Sequence, residues 1–335
     1  MKHTKIVFQG PWQVETVQAS FSQDIGDQEV LVKKLYTLIS PGTELAMLSG
    51  NEAWFAMPGI PGYAAVSEIV KAGRGVKDFQ AGDIVFHYGN HAQYEVVSTN
   101  GTFLKVPAEL NRQWVPFTRM ATVAATAIRV SAIEFGDYVS VTGLGLIGNM
   151  AAQLAGAQGA TVIGLDLSEE RLRIAEQCGV PYRLQGGTAV KEQLAEITGG
   201  AGVSTHIEAT GVPQVAVQSL AYIAKLGEII FLGSPRGAYN GDVTDILNYC
   251  HLYNRGCITF KGAHEWRFPT EPNEFVKHSL VRNSKIVFEM MKTNRLQIAP
   301  LISHVLEPGQ AKEAYRGLKE NKDRYSGVLF DWSTV

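Results

Sequence analysis

Three glycines stand in the run Gly143-Leu144-Gly145-Leu146-Ile147-Gly148. The run follows an apolar, β-branched stretch, Tyr138-Val-Ser-Val-Thr, and leads into small residues that reach Gly159. A second extended stretch, Thr161-Val-Ile-Gly-Leu, ends on Asp166. Strand, glycine turn, helix, strand, acid is the order that holding a dinucleotide requires. Gly143 permits the tight turn. Gly145 lets backbone N–H groups, those of Leu146 and Ile147 among them, reach a pyrophosphate at the positive end of the helix. Gly148 lets the helix lie close on the strand. Asp166 is placed to accept hydrogen bonds from both ribose hydroxyls and to repel a 2′-phosphate, so NAD is favoured over its phosphorylated relative. A lone glycine triplet is weak evidence, but here the strand, the helix and the terminal acid all fall at the right spacing.

The elements that must position these groups change character along the chain. Up to about residue 119 the sequence is a series of short extended stretches, Ile6–Phe8, Glu29–Leu35, Tyr63–Lys71, Asp83–Phe86 and Tyr94–Val97. Turn signals such as Pro41-Gly42, Pro58-Gly59, Pro61-Gly62 and Tyr88-Gly-Asn90 separate them. This is the pattern of an irregular antiparallel β domain. From about Met120 strands and helices alternate: a helix over Thr122–Glu134, a helix opened by the Ser168 cap, a strand at Thr205–Ala209, a helix over Pro213–Lys225, and strands at Glu228–Leu232 and Ile258–Lys261. Repeated βα units imply a doubly wound parallel sheet. A helix near Val281–Thr293 and a β–α–β stretch from Ile302 to Phe330 follow. The expected class is therefore α/β. Residues 120–264 form the nucleotide domain, inserted between 1–119 and 265–335 of a β-rich domain.

The bulk numbers fit two domains: 335 residues, 45% of them apolar. A net charge of −2 gives no footprint for nucleic acid. No apolar run approaches the roughly 20 residues that cross a bilayer, and Met1–Phe8 lacks the features of a signal peptide. Three cysteines, Cys178, Cys250 and Cys257, suit a reducing cytoplasm. A cytoplasmic enzyme with a small-molecule substrate, and neither nucleic acid nor membrane as a partner, is the expectation.

Order and phrasing together resemble the medium-chain dehydrogenase/reductase superfamily, which contains the zinc alcohol dehydrogenases. Glu29-Val-Leu-Val-Lys is similar to the strand before that family's first catalytic loop. Pro61-Gly62-Tyr63 through Ala81-Gly-Asp83-Ile-Val85 resembles its Pro-Gly-His-Glu block. Ile207-Glu-Ala-Thr210-Gly211 resembles its fourth-strand signature, Phe260-Lys-Gly-Ala263 the segment returning to the catalytic domain, and Pro300-Leu-Ile-Ser-His304-Val a C-terminal motif. The resemblance implies a GroES-like catalytic domain, a Rossmann domain, and a homodimer or homotetramer.

It also implies catalytic positions. The family holds zinc with a cysteine, a histidine and a third ligand; here Pro41 stands at the cysteine, Tyr63 at the histidine, Ala64 at the adjacent glutamate, and Thr118 near the third position. Proline and alanine side chains carry no ligand atom and neutral hydroxyls bind zinc poorly, so a metal-free member is expected. The loop Ser40-Pro41-Gly42-Thr43-Glu44 resembles that of a branch including bacteriochlorophyllide-dehydrogenase-like proteins. Thr43 matches the family's proton-relay hydroxyl, or alternatively caps a helix beginning near Glu44. Tyr63 faces the reacting centre by resemblance, or fills the space of the metal; a phenol of ordinary pKa, about 10, is an acid unless a cation lies close. His264 follows the segment that in the family crosses above the nicotinamide, and an imidazole titrates near 6.5; otherwise it is a surface residue at a turn. Thr122 lies near the family's carboxamide contact. Thr210, Gly211 and the turn at Gly233 fall at the carboxyl edge of the sheet, where dinucleotides bind. Arg236 and Arg267 are weaker candidates for an anionic substrate group. His87 and His91 are read as loop or core residues, with His87 alternatively lining a pocket, and Cys257 as opening a buried strand.

The reading these residues favour is an NAD-dependent, zinc-independent oxidoreductase acting on a polar alcohol or carbonyl of the polyol or sugar type. The alternatives are a lyase or epimerase that retains NAD and oxidises its substrate transiently, and a non-catalytic nucleotide-binding protein.

Overall fold

The computed structural model describes residues 2–335. The chain is an α/β protein of two compact units, 1–119 with 269–293 and 301–335, and 120–268 with 294–300.

Among the described residues of the second unit, six strands form one sheet in the order Tyr182–Gln185, Thr161–Asp166, Tyr138–Thr142, Val203–Glu208, Ile223–Phe231, Thr259–Gly262. Every neighbouring pair is parallel. Parallel neighbours need crossovers, and helices supply them: Leu146–Gln158 after the first strand in sequence, Glu169–Gln177 after the second. The strand order reverses between Tyr138–Thr142 and Val203–Glu208, so a crevice opens at their carboxyl ends. The Ser168 hydroxyl accepts a hydrogen bond from the Arg171 N–H and caps the second helix as the sequence implies. Segment 294–300 returns to this unit, a crossing the sequence does not announce.

In the first unit a seven-stranded sheet runs Ile302–Leu306, Gly327–Asp331, Glu29–Leu38, Ala65–Ala72, Ile84–His87, Phe103–Lys105, with Tyr94–Ser98 also paired to Glu29–Leu38. Pairing is antiparallel except between the first two. A hairpin, Lys2–Gly10 with Gln13–Ser20, stands beside it. The core under the helices Pro41–Leu48 and Ala311–Glu320 is built from Ile6, Phe8, Met47, Leu48, Tyr315, Phe330 and Trp332, among others.

Several elements differ from expectation. The apolar spacing predicts a helix over Pro213–Lys225, but the helix stops at Ser219 and the chain enters a strand at Ile223. The alanine-rich helix spans Phe117–Val130, which puts Thr122 in its interior rather than its first turn. Cys257 does not open a strand; it sits at φ 51° before Thr259–Gly262, in the turn that enters it. Helices Val190–Ile197 and Val243–His251, and the second hairpin strand Gln13–Ser20, are additions.

Candidate active site

The glycine run forms a cradle. Gly143 has φ +89°, a conformation that L side chains rarely adopt, and a side chain there would meet Thr210 at 2.7 Å. A Cβ at Gly148 would lie 1.8 Å from the Gly143 carbonyl oxygen, so only glycine lets the helix Leu146–Gln158 start this close to the strand. Gly145 differs: a Cβ there meets nothing within 4 Å. It is the N-cap of that helix and offers no side-chain cap, so the N–H groups of the first turn, at Leu146, Ile147 and Gly148, lack intrahelical partners. Open space before uncapped N–H groups at a helix N-terminus suits an anionic pyrophosphate.

Asp166 ends its strand at the edge of this cradle and is 8% exposed. Its Oδ2 accepts the Leu144 N–H at 2.7 Å and its Oδ1 the Ser168 N–H at 2.9 Å. The Arg171 guanidinium lies 3.6 Å from Oδ2. Arg171 escapes the sequence reading, although its place one turn after the Ser168 cap is a usable signal. The buried Glu208 shapes the opposite wall. Its Oε1 takes the Thr210 N–H at 2.7 Å and the Thr210 hydroxyl, and its Oε2 the Gly211 N–H at 3.1 Å. The Gly233 N–H donates to the Glu208 carbonyl at 2.8 Å, and a Cβ on Gly233 would strike the Gly211 nitrogen at 2.4 Å. The structure therefore brings Gly143, Gly145, Leu146, Ile147, Gly148, Asp166, Thr210, Gly211 and Gly233 to one end of the parallel sheet. His264 follows the last strand at that same end and is exposed, heading the 3₁₀ turn Glu265–Arg267. Thr122 is fully buried, and its carbonyl accepts the Thr126 hydroxyl at 3.1 Å.

The first unit holds a second cluster. The helix Pro41–Leu48 begins two residues before Thr43, with Ser40 as its N-cap; Thr43 therefore does not cap a helix from Glu44 and instead lies within the first turn. The Tyr63 phenol shares side-chain hydrogen bonds with Ser40 and Thr43. Burial raises its pKa above the ordinary tyrosine range, against the opposing pull of the Arg119 guanidinium. The phenol thus stays neutral at physiological pH.

Behind it lies a buried network. Glu44, fully buried, accepts the Ser40 N–H at 2.8 Å and the Tyr315 hydroxyl at 2.5 Å, and lies 3.0 Å from His91 Nε2. His91 Nδ1 lies 2.7 Å from the Thr37 hydroxyl, which accepts the Trp332 indole N–H at 2.8 Å. The set closes with no donor left over when His91 carries its proton on Nε2, toward Glu44, and accepts from Thr37. His91 is a core residue bracing the helix that carries Thr43. His87 is likewise buried, its Nε2 2.8 Å from Ser67 Oγ and its pKa held well below the usual imidazole range by burial.

Zinc does not fit these positions. Pro41 offers no ligand atom, Tyr63 is a neutral phenol, Thr118 a buried hydroxyl, and the next residue, Arg119, is a buried cation. Among the described residues no group of three or more His, Cys, Asp or Glu side chains could hold a metal ion.

Residues 147–270 match the family model described as zinc-binding dehydrogenase, a span that excludes the positions just compared with zinc ligands. The chain is 28% identical to D-guloside 3-dehydrogenase of Escherichia coli over 263 residues, 76% of this chain and 72% of that protein. It is 25% identical to L-galactonate-5-dehydrogenase of the same organism over 334 residues, 91% and 92% of the two chains. In three dimensions it is similar to galactitol-1-phosphate dehydrogenase from Escherichia coli, with TM-score 0.83 and 18% identity over 98% of this chain and 99% of that one. These similarities support the medium-chain dehydrogenase/reductase superfamily and an oxidoreductase enzyme, and the fold is that of the GroES-like and Rossmann domains of such dehydrogenases. Among the described residues, no helix is long and apolar enough to cross a membrane.

Proposed function

We propose that the chain is an NAD(H)-dependent, zinc-independent dehydrogenase that interconverts an alcohol and a carbonyl on a polyol or sugar-like substrate. The observation that carries this reading is the cradle of Gly143, Gly145 and Gly148 closed by Asp166, open only at Gly145 where a pyrophosphate needs room. Leu146, Ile147 and Gly148 N–H groups hold the pyrophosphate, Asp166 the adenosine ribose, and Thr122, Thr210, Gly211 and Gly233 border the nicotinamide half. A nicotinamide dinucleotide bound there supplies or accepts the hydride. The buried carboxylate at Asp166 disfavours a 2′-phosphate, which supports NAD.

The chain's own part is proton transfer and positioning. Tyr63, neutral and hydrogen-bonded to Ser40 and Thr43, donates to the substrate oxygen in reduction and reclaims the proton in oxidation. Thr43 extends that hydrogen-bonded path within the first unit, and His264, exposed at the carboxyl end of the second unit's sheet, is a separate candidate for proton exchange with solvent. Two relatives are named for a guloside and a galactonate, which supports a polar, hydroxylated substrate.

The test is turnover of NAD by the purified protein against polyols, sugars and sugar acids, read by NADH fluorescence. At least one compound is expected to give turnover, and Tyr63→Phe to lower kcat by about 100-fold with dinucleotide affinity unchanged. Absence of both dinucleotide binding and turnover across the panel overturns the reading.

A further inference from the structure

Arg119 plays no part in the resemblance or in the glycine cradle, and its placement is unusual. It is 5% exposed, within the helix Phe117–Val130. Its guanidinium carbon lies 4.9 Å from the centre of the Tyr63 ring and 4.4 Å from that of Tyr88. Taking a guanidinium out of water is costly unless the surroundings return the energy. Two aromatic faces within about 6 Å do so in part, through the negative charge of their π systems. The chain therefore keeps a fixed positive charge beside the phenol that stands where the family's metal ligand would be.

We propose that Arg119 is a positioning residue for proton transfer: its guanidinium, held against the rings of Tyr63 and Tyr88, is the fixed cation beside which Tyr63 gives up and regains a proton. This rests on the reading of Tyr63 as the proton donor. When the carbonyl carbon of the substrate takes a hydride from the reduced nicotinamide, a C–H bond forms and the C=O π pair moves to oxygen. That oxygen takes the phenol proton, and the negative charge comes to rest on the Tyr63 oxygen. In oxidation each transfer runs backward. A phenolate in a buried site is costly alone, and three groups face it favourably: Arg119 by charge, and Ser40 and Thr43 by hydrogen bonds. Glu44 opposes it, and its charge is drawn toward the Ser40 N–H, Tyr315 and His91. Among the described residues that act on the phenol, Arg119 supplies the positive charge.

The experiment is a titration of the tyrosines by NMR in protein labelled with ¹³C at tyrosine Cζ, the Tyr63 signal being assigned from Tyr63→Phe. No substrate or cofactor is needed, so the outcome is separable from the dehydrogenase reading. In Arg119→Met the fraction of Tyr63 ionised at a given alkaline pH is expected to fall at least ten-fold, and Arg119→Lys to recover most of it. Arg119→Gln serves as the neutral variant if Arg119→Met does not fold. With a substrate in hand, the limb of the kcat/KM profile for alcohol oxidation that depends on Tyr63 moves to higher pH in Arg119→Met and returns in Arg119→Lys. Titration of Tyr63 at the same pH in wild type and in both neutral variants overturns the proposal. So does failure of Arg119→Lys to recover ionisation while its fold is intact.

Discussion

Asp166 serves the folded chain before it serves any ligand. Its two oxygens tie the Leu144 and Ser168 N–H groups, pinning the glycine turn to the start of the next helix. Replacing it with serine removes the charge and shortens the reach. In Asp166→Ser, NAD affinity is expected to fall about 10- to 100-fold, the scale of a lost charge-assisted hydrogen bond, while the affinity for NADP falls less or rises with Arg171 3.6 Å away. Titration calorimetry with both dinucleotides reads the ratio. His206 gives a second residue-level expectation. It is fully buried in the parallel sheet, Nδ1 2.8 Å from Ser140 Oγ, and burial pushes its pKa down to about 3. The unfolded chain, with an ordinary imidazole near 6.5, binds the proton first. Stability contributed by this group is therefore whole above about pH 6.5 and is lost as pH falls toward 3, by about 2 kcal/mol between pH 7 and pH 5. Chemical denaturation of wild type and His206→Gln at the two pH values should show the difference, with a flatter profile in the variant.

At the scale of elements, the glycine turn separates two kinds of necessity. Gly148→Ala drives a methyl into the Gly143 carbonyl oxygen and should cost about 3 kcal/mol of stability, seen as a lowered Tm with or without dinucleotide. Gly145→Ala meets nothing in the folded chain; its Tm should stay within about 2 °C of wild type while dinucleotide binding weakens at least ten-fold. Equal Tm losses in both variants would contradict the assignment of Gly145 to a ligand. This turn is legible in the sequence because backbone geometry demands glycine at Gly143 and Gly148 while room for a ligand favours it at Gly145, and the two demands together leave one recognisable spacing. Other elements were less so. The helix at Pro213 looked longer than it is because Leu220, Tyr222 and Ile223 continue an apolar pattern, whereas Ile223 is drawn into pairing with Val203. The second hairpin strand was hidden because Trp12 occupies a left-handed turn position, φ 60°, where a glycine would have signalled the turn. The start of the helix Pro41–Leu48 is hard to read because Ser40 makes no side-chain cap; its own N–H is instead taken by Glu44, a carboxylate that the distant Tyr315 and His91 also hold.

Taken as a molecule, the chain divides its tasks between two units, the glycine cradle in one and the Tyr63–Thr43–Arg119 cluster in the other. The cradle could be read from spacing along the sequence. Arg119 could not, since its pairing with Tyr63 and Tyr88 joins three separate strand and helix ends that no local pattern connects. The proposed absence of a Lewis acid also carries an expectation at this scale. Extended treatment with a strong zinc chelator should leave kcat and KM unchanged, and atomic emission should find zinc far below one ion per chain. Activity that falls on chelation and returns with added zinc would contradict it.

The braces under Thr43 have a consequence for biosynthesis. Tyr315 and Trp332, which hold Glu44 and Thr37, lie 271 and 295 positions downstream of their partners, and the strand Gly327–Asp331 zips against Glu29–Leu38. A ribosome that has delivered the nucleotide half complete still has not supplied the supports for the amino-terminal half. On the proposed reading, a nascent chain acquires its dinucleotide crevice early and its proton-transfer cluster only as the final stretch emerges, so that prematurely halted translation products should capture dinucleotide without turning anything over.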